Sequence, residues 1–341
     1  MNQHIFPGGN TSRGFVNFFD GIVAPWEENR RTYVLKGGPG VGKNTLMRAV
    51  GDKAQEQGMD IVYFHCASDR DSLDAIRIPQ MGITMLDGTS PHVIDPVTPG
   101  AVDGILNLGI YLDEKKLEQG RGVIEKLSAE NKQGYVRTFA YLAAAGSLQK
   151  NTDDMTQLSL DKKGLRQAAY EVMGERRETS HTARVRKLFA SAITPQGYTN
   201  YINTIVKDER VVVLSGAPVA CSYLIELMLG FAVYAGYDCE VYYAPLLPDK
   251  PEHLIVKDLN LCVTVDPTED GEILDLSALT GKEYQETLVF NSQQKQILLD
   301  AAIRSLQGSK AIHDDMEAYY RTAMDFDALN EFTQQFISEL F

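Results

Sequence analysis

The stretch "YVLKGGPGVGKNTLMRAV" runs from Tyr33 to Val50, and the interpretation of the rest of the chain depends on it. It fits the spacing G-x-x-x-x-G-K-[ST] at Gly37, Gly42 and Lys43, but Asn44 stands where the pattern has a hydroxyl residue. The apolar residues before the motif predict a buried strand, and "LMRAVGDKAQEQG" after it predicts a helix. The sequence therefore predicts a strand, a glycine-rich turn and a helix, which is the context that a phosphate-binding loop requires.

The glycine-rich segment has the chemistry of an anion cradle. Glycine takes backbone conformations closed to other residues, so successive N–H groups can turn inward around an anion, and the helix dipole adds to this attraction. We expect Lys43 to reach the β- and γ-phosphates of a nucleotide and Thr45 to meet the α-phosphate. The predicted nucleotide-binding residues are Gly37, Gly38, Pro39, Gly40, Val41, Gly42, Lys43, Asn44 and Thr45. A plain strand-to-helix turn is the alternative.

Two residues are the predicted magnesium ligands. Asn44 occupies the position whose hydroxyl normally ligates Mg²⁺, and an amide offers a carbonyl oxygen but also an NH₂ group that is unfavourable near a cation. Asp87 ends the apolar run "ITMLD" from Ile83 and is the best candidate for the acidic anchor. The alternative is an aspartate that caps the following turn. We expect nucleotide binding to survive better than metal-dependent hydrolysis.

Other polar residues near the predicted strand ends are weaker candidates. His92 has either a catalytic or phosphate-sensing role or is an ordinary loop histidine. His65 lies inside the apolar run "IVYFHC" and is interpreted as structural. Asp69 and Asp71 are weaker candidates for the acidic anchor, and they are at least as well explained as ordinary loop residues. An arginine finger could come from Arg70 or Arg77, and the sequence does not select one.

The chain repeats itself. "IFPGGNTSRGFVNFFDGIV", residues 5–23, aligns without a gap with "LFASAITPQGYTNYINTIV", residues 188–206. Thr194 followed by Pro195 has the pattern of a helix N-cap and a first helical residue, so each copy is predicted to open with a short amphipathic helix. The register continues through "TYVLKGGPG" over "VVVLSGAPV" and reaches "DDM" at 153–155 and again at 314–316. Matches in one order along the whole chain indicate an internal duplication.

The repeat predicts the fold class and the domains. We expect an α/β protein of two tandem P-loop NTPase-like domains, residues 1–183 and 184–341, each a mostly parallel sheet flanked by helices. Each domain ends in a charged helical extension, about 113–177 and about 281–341. The extensions are interpreted as helical hairpins packed on their own domain, with a partner-binding arm as the alternative.

The second copy has lost the loop chemistry. "SGAPVACSYL" places Cys221, Ser222 and Tyr223 where the first copy has Gly42, Lys43 and Asn44. Without the lysine and the later glycines we do not expect it to hold a triphosphate. The sequence therefore predicts one nucleotide site per chain and a second half that is structural or regulatory.

Composition excludes several classes of function. The net charge of −13, with no compensating basic run, is unfavourable for nucleic acid binding. We expect no run to reach the roughly 18 apolar residues that a membrane span needs. The N-terminal segment has no signal-peptide pattern, which predicts a cytoplasmic protein. The four scattered cysteines are interpreted as buried reduced thiols.

With both halves in view, the chain resembles a poorly characterised bacterial family of duplicated, ATPase-like P-loop proteins. The resemblance rests on "GGNTSRGFVNFFD", "YVLKGGPGVGKNTLM", "ASDRDSLDAIRIP", "LDGTSPHVIDPVTPGAVDGILNLG" and "RKLFASAITPQGY", and departs from the family at Asn44, where serine is expected. It implies a P-loop NTPase fold and ATP binding, without a known substrate. The expected function is a weak or regulated ATPase that uses ATP and Mg²⁺ at the first loop. A nucleotide-gated sensor without turnover and a small-molecule or nucleotide kinase are the alternatives.

Overall fold

The computed structural model describes residues 2–90, 93–174, 179, 181–268 and 271–341. Sixteen strands are assigned in this part of the chain. In chain order they are β1 Gln3–Ile5, β2 Gly8–Thr11, β3 Gly14–Asn17, β4 Arg31–Lys36, β5 Val62–Cys66, β6 Asp69–Ile78, β7 Ile83–Asp87, β8 Asp103–Asn107, β9 Val185–Leu188, β10 Ser191–Thr194, β11 Gly197–Asn200, β12 Arg210–Ser215, β13 Cys239–Tyr243, β14 Pro251–Val256, β15 Leu261–Thr264 and β16 Glu272–Asp275.

The helices are α1 Lys43–Glu56, α2 Glu114–Gln157, α3 Lys162–Met173, α4 Ile202–Ile205, α5 Pro218–Ala235, α6 Gln285–Thr322 and α7 Phe326–Leu340. Their ends follow local chemistry. The side chain of Asp161 caps α3 by accepting from the amides of Lys163 and Gly164, and Asp325 caps α7 in the same way. Helix α5 begins at Pro218 and ends at Ala235, and the following Gly236 has a φ of 86°, the left-handed conformation that commonly ends a helix.

Two six-stranded sheets share one strand order. The first is β1-β5-β6-β7-β4-β8, and the second, read from its other edge, is β9-β13-β14-β15-β12-β16. In each sheet the third strand of this order, β6 or β14, runs antiparallel to both neighbours, while the strand before the glycine-containing turn, β4 or β12, is parallel to the strands beside it. The sheets are therefore mixed and not mostly parallel as predicted, because β6 and β14 each follow the preceding strand through a short connection and pair with it antiparallel. The α/β fold class is confirmed, and the shared order is consistent with the predicted duplication.

The short helix predicted at the start of each copy is wrong. Residues 8–17 and 191–200 form antiparallel hairpins, and only Ile202–Ile205 of the second segment is α-helical. In both turns the threonine hydroxyl donates to the carbonyl of the glycine three residues later at 2.8 Å. Those glycines, Gly14 and Gly197, have φ of 92° and 102°. Proline after the first turn residue and glycine at the fourth suit a β-turn as well as a helix start, and the strand partners decide between them.

The chain divides into two compact units that are discontinuous in sequence. Unit 1 contains Met1–His4, Glu27–Arg137 and Arg304–Phe341, and unit 2 contains Ile5–Trp26 and Thr138–Ile303. Both opening hairpins belong to unit 2, where Phe6 and Phe189 exchange backbone hydrogen bonds of 3.0 and 3.1 Å. The boundary predicted between residues 183 and 184 describes the sequence repeat and stays a prediction.

The last helix of each extension packs on the other repeat. Helix α3, from the first repeat, packs on α5 of the second and contributes Leu165 and Ala169 to the core of unit 2. Helix α7, from the second repeat, packs on α1 of the first and contributes Leu329 and Phe336 to the core of unit 1. The expectation of extensions packed on their own domain is therefore wrong for α3 and α7, because each of these amphipathic helices buries its apolar face on the other repeat.

Helix α5 corrects the expectation about apolar runs. Its 18 residues have a mean hydropathy of 1.6, enough in length and composition to cross a membrane, and half of the segment is buried inside the protein. One face contributes Leu224, Ile225 and Met228 to the core of unit 2. This is the composition of a core helix and is consistent with a soluble protein. The four cysteines are free, as predicted, and three of them are fully buried.

Candidate functional site

The loop between β4 and α1 takes the backbone shape that its glycines permit. Gly37, Gly40 and Gly42 have φ of 144°, 68° and 92°, and α1 begins directly after Gly42. A residue with a Cβ would be strained at these φ values, which explains the glycines by conformation alone. Gly38 has no such φ, so its contribution to the loop is different. The predicted strand, turn and helix are all present at their expected positions.

Lys43 points back across the loop. Its Nζ donates to the carbonyl oxygens of Gly37 at 3.1 Å and of Gly38 at 3.3 Å, and to the hydroxyl of Thr89 at 2.8 Å. It also lies 3.1 Å from a carboxylate oxygen of Asp87. Only 12% of the lysine side chain and 20% of the aspartate side chain are exposed. The ammonium group therefore sits inside the loop, held by acceptors that a phosphate could replace.

Asp87 reaches Lys43 because of the sheet. Strands β4 and β7 are parallel neighbours, with Leu35 opposite Asp87, so both strands end at the same edge. Thr89 donates its amide and its hydroxyl to the other oxygen of Asp87 at 2.9 and 2.6 Å, which holds the carboxylate in place. The aspartate thus makes the turn-capping bonds of the alternative interpretation and also faces the lysine. Thr89 was not predicted as a site residue.

Asn44 offers an acceptor for a cation. Its Oδ1 is buried and finds no hydrogen-bond partner among the described residues. A buried carbonyl oxygen without a donor is costly, and a metal ion or a ligand N–H group would satisfy it. Asn44 and Asp87 therefore fit Mg²⁺ by the chemistry of their oxygens. No group of three or more His, Cys, Asp or Glu side chains is placed to hold a metal within the part of the chain that the structure describes.

Asp74 is a buried acid of the site that sequence reasoning missed. It lies on β6, beside β7, and is 4% exposed. Burial raises the pKa of its carboxyl to about 7, and although a hydrogen bond from Cys66 opposes this, the charge of Asp87 adds to it. An acid inside the apolar run "LDAIRI", residues 73–78, was the available signal. A charged side chain in such a buried run is unfavourable unless the residue has a specific role or partner.

The pKa of Asp74 predicts how the stability of the protein depends on pH. The folded protein keeps this carboxyl protonated up to about pH 7, whereas an ordinary aspartate loses its proton near 3.8. The folded state therefore binds more protons between these values, and the free energy of unfolding falls as the pH rises through this window. Asp74→Asn removes this loss. Between pH 5 and pH 8 the free energy of unfolding of the variant, measured relative to the wild type, should therefore rise by on the order of 1–3 kcal/mol.

Urea unfolding at both pH values, followed by circular dichroism, measures this difference. Asp71→Asn, at an exposed position of the same strand, is the matched control and should follow the wild type. Equal pH dependence in wild type and Asp74→Asn would show that the carboxyl titrates normally.

The C-terminal helices of the chain line the outside of the loop within unit 1. A Cβ on Gly38 would lie 2.5 Å from the ring of Tyr320, and one on Gly40 would lie 3.1 Å from Cγ of Arg321. A Cβ on Gly42 would lie 2.7 Å from Cδ2 of Leu329 on α7. Sequence reasoning missed these contacts, because it assigned residues 281–341 to the second repeat. Gly38 is thus explained by the close approach of an aromatic ring rather than by its φ.

The remaining candidates separate into structural and untested residues. His92 lies outside the described residues. His65 is buried, donates from Nδ1 to the carbonyl of Arg70 at 2.6 Å and has a pKa lowered to about 4 by burial, which agrees with its structural interpretation. Asp69 lies 3.3 Å from Lys310 and accepts from Ser72, so it belongs to an ion pair rather than to the loop.

Arg77 cannot serve as an arginine finger. It is fully buried, and its guanidinium is bonded to Glu27 at 3.1 Å, to Asn29 at 3.0 Å and to Thr84 at 3.1 Å. These groups use its donors inside the protein, near the start of β7. Arg70 stays an untested candidate.

The second loop has a different local structure. Gly216 keeps a φ of 142°, like Gly37, but α5 begins at Pro218, four residues earlier than α1 in the aligned register. Ser222, in the place of Lys43, is buried and donates to the carbonyl of Pro251 at 3.0 Å. The segment aligned with the glycine-rich loop of the first copy is therefore helical in the second.

Comparisons with protein-family models, curated proteins and solved structures give no match for this chain.

Proposed function

We propose that this protein binds ATP or a related nucleotide through residues 37–45 of unit 1, as a cytoplasmic protein with a single nucleotide site. One observation carries the proposal: Lys43 lies 3.1 Å from Asp87 at the common edge of two parallel strands, inside a loop in which Gly37, Gly40 and Gly42 have positive φ. A lysine, a strand-end carboxylate and a helix N-terminus at one point are the groups that bind a nucleoside triphosphate and its metal.

Each residue has a role in the proposed site. Lys43 exchanges its contacts with the carbonyls of Gly37 and Gly38 for phosphate oxygens. Backbone N–H groups of the loop and the first turn of α1 neutralise the remaining charge. Asp87, released from Lys43, and the Oδ1 of Asn44 would hold Mg²⁺, which would supply charge neutralisation between phosphates. Turnover is weak or regulated, because the amide of Asn44 is a poorer magnesium ligand than a hydroxyl.

A nucleotide sensor without turnover is the second candidate. It is favoured by the packing of Tyr320, Arg321 and Leu329 directly on the loop glycines. A shift of the loop on nucleotide binding must move these side chains or be resisted by them, because packed interiors transmit strain. ATP binding without measurable phosphate release would support the sensor, and phosphate release that depends on Lys43 would support the ATPase.

The test is the effect of Mg²⁺ on nucleotide affinity in wild type and Asn44→Ser. We expect calorimetry to show one ATP site per chain in the wild type, strengthened less than about threefold by Mg²⁺, and a gain of about tenfold or more in Asn44→Ser. Asn330→Ser, at an exposed position of α7, is the matched control and should behave as the wild type. Absence of ATP binding at millimolar concentration would refute the proposal, and equal magnesium effects in the two proteins would refute the role of Asn44.

A further inference from the structure

A cavity of about 890 Å³ lies in unit 2 where the second repeat has lost its phosphate loop. Its floor is the carboxyl end of β12 and the start of α5, including Gly216 and Ser222. Its size is within the range of about 300–1,000 Å³ that drug-sized ligands occupy. Most of the wall is apolar, with Ile193, Leu246 and Leu299 among its residues. The second repeat has therefore lost the loop but has a concave site in its place.

One wall of this cavity carries two groups of opposite charge, the buried Asp153 and the partly buried Lys295. Gln149 and Asp153 are one turn apart on α2, and Lys295 lies on α6. Gln149 donates its amide to Asp153 at 2.8 Å and accepts from Lys295 at 2.6 Å, so the amide separates the two charges. Gln149 and Asp153 are 9% and 8% exposed. The aspartate and the lysine each have hydrogen-bonding capacity beyond these bonds.

Burial is unfavourable for both charges. It raises the pKa of Asp153, against the hydrogen bond from Gln149, and it lowers the pKa of Lys295, against the charge of Asp153. A ligand group that donates to Asp153 and another that accepts from Lys295 would offset the cost of burying these charges.

The charges of the cavity exclude a polyphosphate. Its other lysine, Lys250, is paired with Glu226 at 3.1 Å. Glu252 adds a second acid to the wall, and the helix at Pro218 replaces the glycine loop that would present successive N–H groups. With two acids and two lysines, the lining has no excess of positive charge to attract phosphate.

We propose that the cavity of unit 2 binds a small organic zwitterion with a large apolar body, of the size of a dipeptide. Its carboxylate accepts from Lys295, its ammonium group donates to Asp153, and its side chains contact the apolar wall. This site is independent of the proposed nucleotide site, because every residue that lines it belongs to unit 2.

Calorimetry of the full chain with L-leucyl-L-leucine, L-phenylalanyl-L-leucine and L-leucine tests the proposal. We expect saturable 1:1 binding of at least one of the dipeptides with a Kd below about 1 mM. The N-acetylated, C-amidated form of the same dipeptide, which lacks both charges, should bind at least about tenfold more weakly. ATP should not compete.

The variants Asp153→Asn and Lys295→Met should each weaken dipeptide binding by at least about tenfold. The matched controls Asp154→Asn and Lys150→Met remove the neighbouring exposed i,i+4 pair, whose Nζ and Oδ2 lie 2.6 Å apart, and should leave binding unchanged. A chain that binds none of the three probes at about 10 mM, equal binding of the charge-free form, or unchanged binding in both cavity variants would each overturn the proposal.

Discussion

Lys43→Met is expected to weaken ATP binding by at least about 100-fold, because the phosphates lose about 3 kcal/mol of charge-assisted hydrogen bonds. Lys43 is 12% exposed and already lies among acceptors inside the loop, so little rearrangement is needed for it to contact a phosphate. Methionine keeps the length and the apolar stem of lysine, and only the ammonium group is removed. The affinity for ATP is measured by calorimetry in the absence of Mg²⁺, so that the effect on the phosphates is separated from the effect on the metal.

Lys53→Met is the matched control. Lys53 lies in the last turn of the same helix and pairs with Glu56 at 2.9 Å on the surface, so its loss should change ATP affinity by less than about twofold. Asp87 loses its ion partner in Lys43→Met, so circular dichroism is needed to show that this variant is folded. ATP affinity equal to that of the wild type in a folded Lys43→Met protein would contradict the proposed site.

Arg77→Met is expected to lower the free energy of unfolding by about 3–5 kcal/mol. The guanidinium is fully buried and bonded to Glu27, Asn29 and Thr84, and it also donates to the carbonyl of Glu28. Methionine fills much of the volume but removes the guanidinium donor from each of these groups, and among the described residues only Asn29 keeps a second one, the hydroxyl of Thr84 at 3.2 Å. Removing one partner in this way is the costly way to break a buried network. Urea unfolding measures the loss.

Arg70→Met, on the same strand, is the control and should stay within about 1 kcal/mol of the wild type. At a temperature where Arg77→Met is folded, its ATP affinity should equal that of the wild type, because Thr84 lies at the start of β7 and Asp87 at its end. A stable Arg77→Met protein with impaired nucleotide binding or turnover would show instead that Arg77 acts in the active site.

The local features of the first loop could be predicted from the sequence. Glycine is required at positions 37, 40 and 42 by the positive φ of the backbone there. The strand before the loop and the helix after it follow from apolar periodicity. Asp87 could be placed near Lys43 because parallel strands in an α/β sheet end at a common edge. The shared strand order of the two sheets was likewise implicit in the repeat.

The opening segments show where local patterns fail. Thr194–Pro195 satisfies both a helix start and a β-turn, and Gly197 fits only the second once its φ is known. The two hairpins lie in one unit, where the neighbouring Phe6 and Phe189 exchange backbone hydrogen bonds although they are 183 residues apart in sequence. Periodicity within one segment contains no information about such a partner.

The sequence by itself determined the α/β class, the internal repeat, the shape of the first loop and the absence of its lysine and later glycines from the second copy. Only the tertiary structure decided which helices cover the loop, that Asp74 is buried beside Asp87, and that the second repeat has a cavity in unit 2. The physical reason is the range of the interactions. Backbone preferences and strand registers act within a few residues or between repeated elements, whereas the apolar face of an amphipathic helix can be buried on either repeat, and the choice depends on the packing of the whole chain.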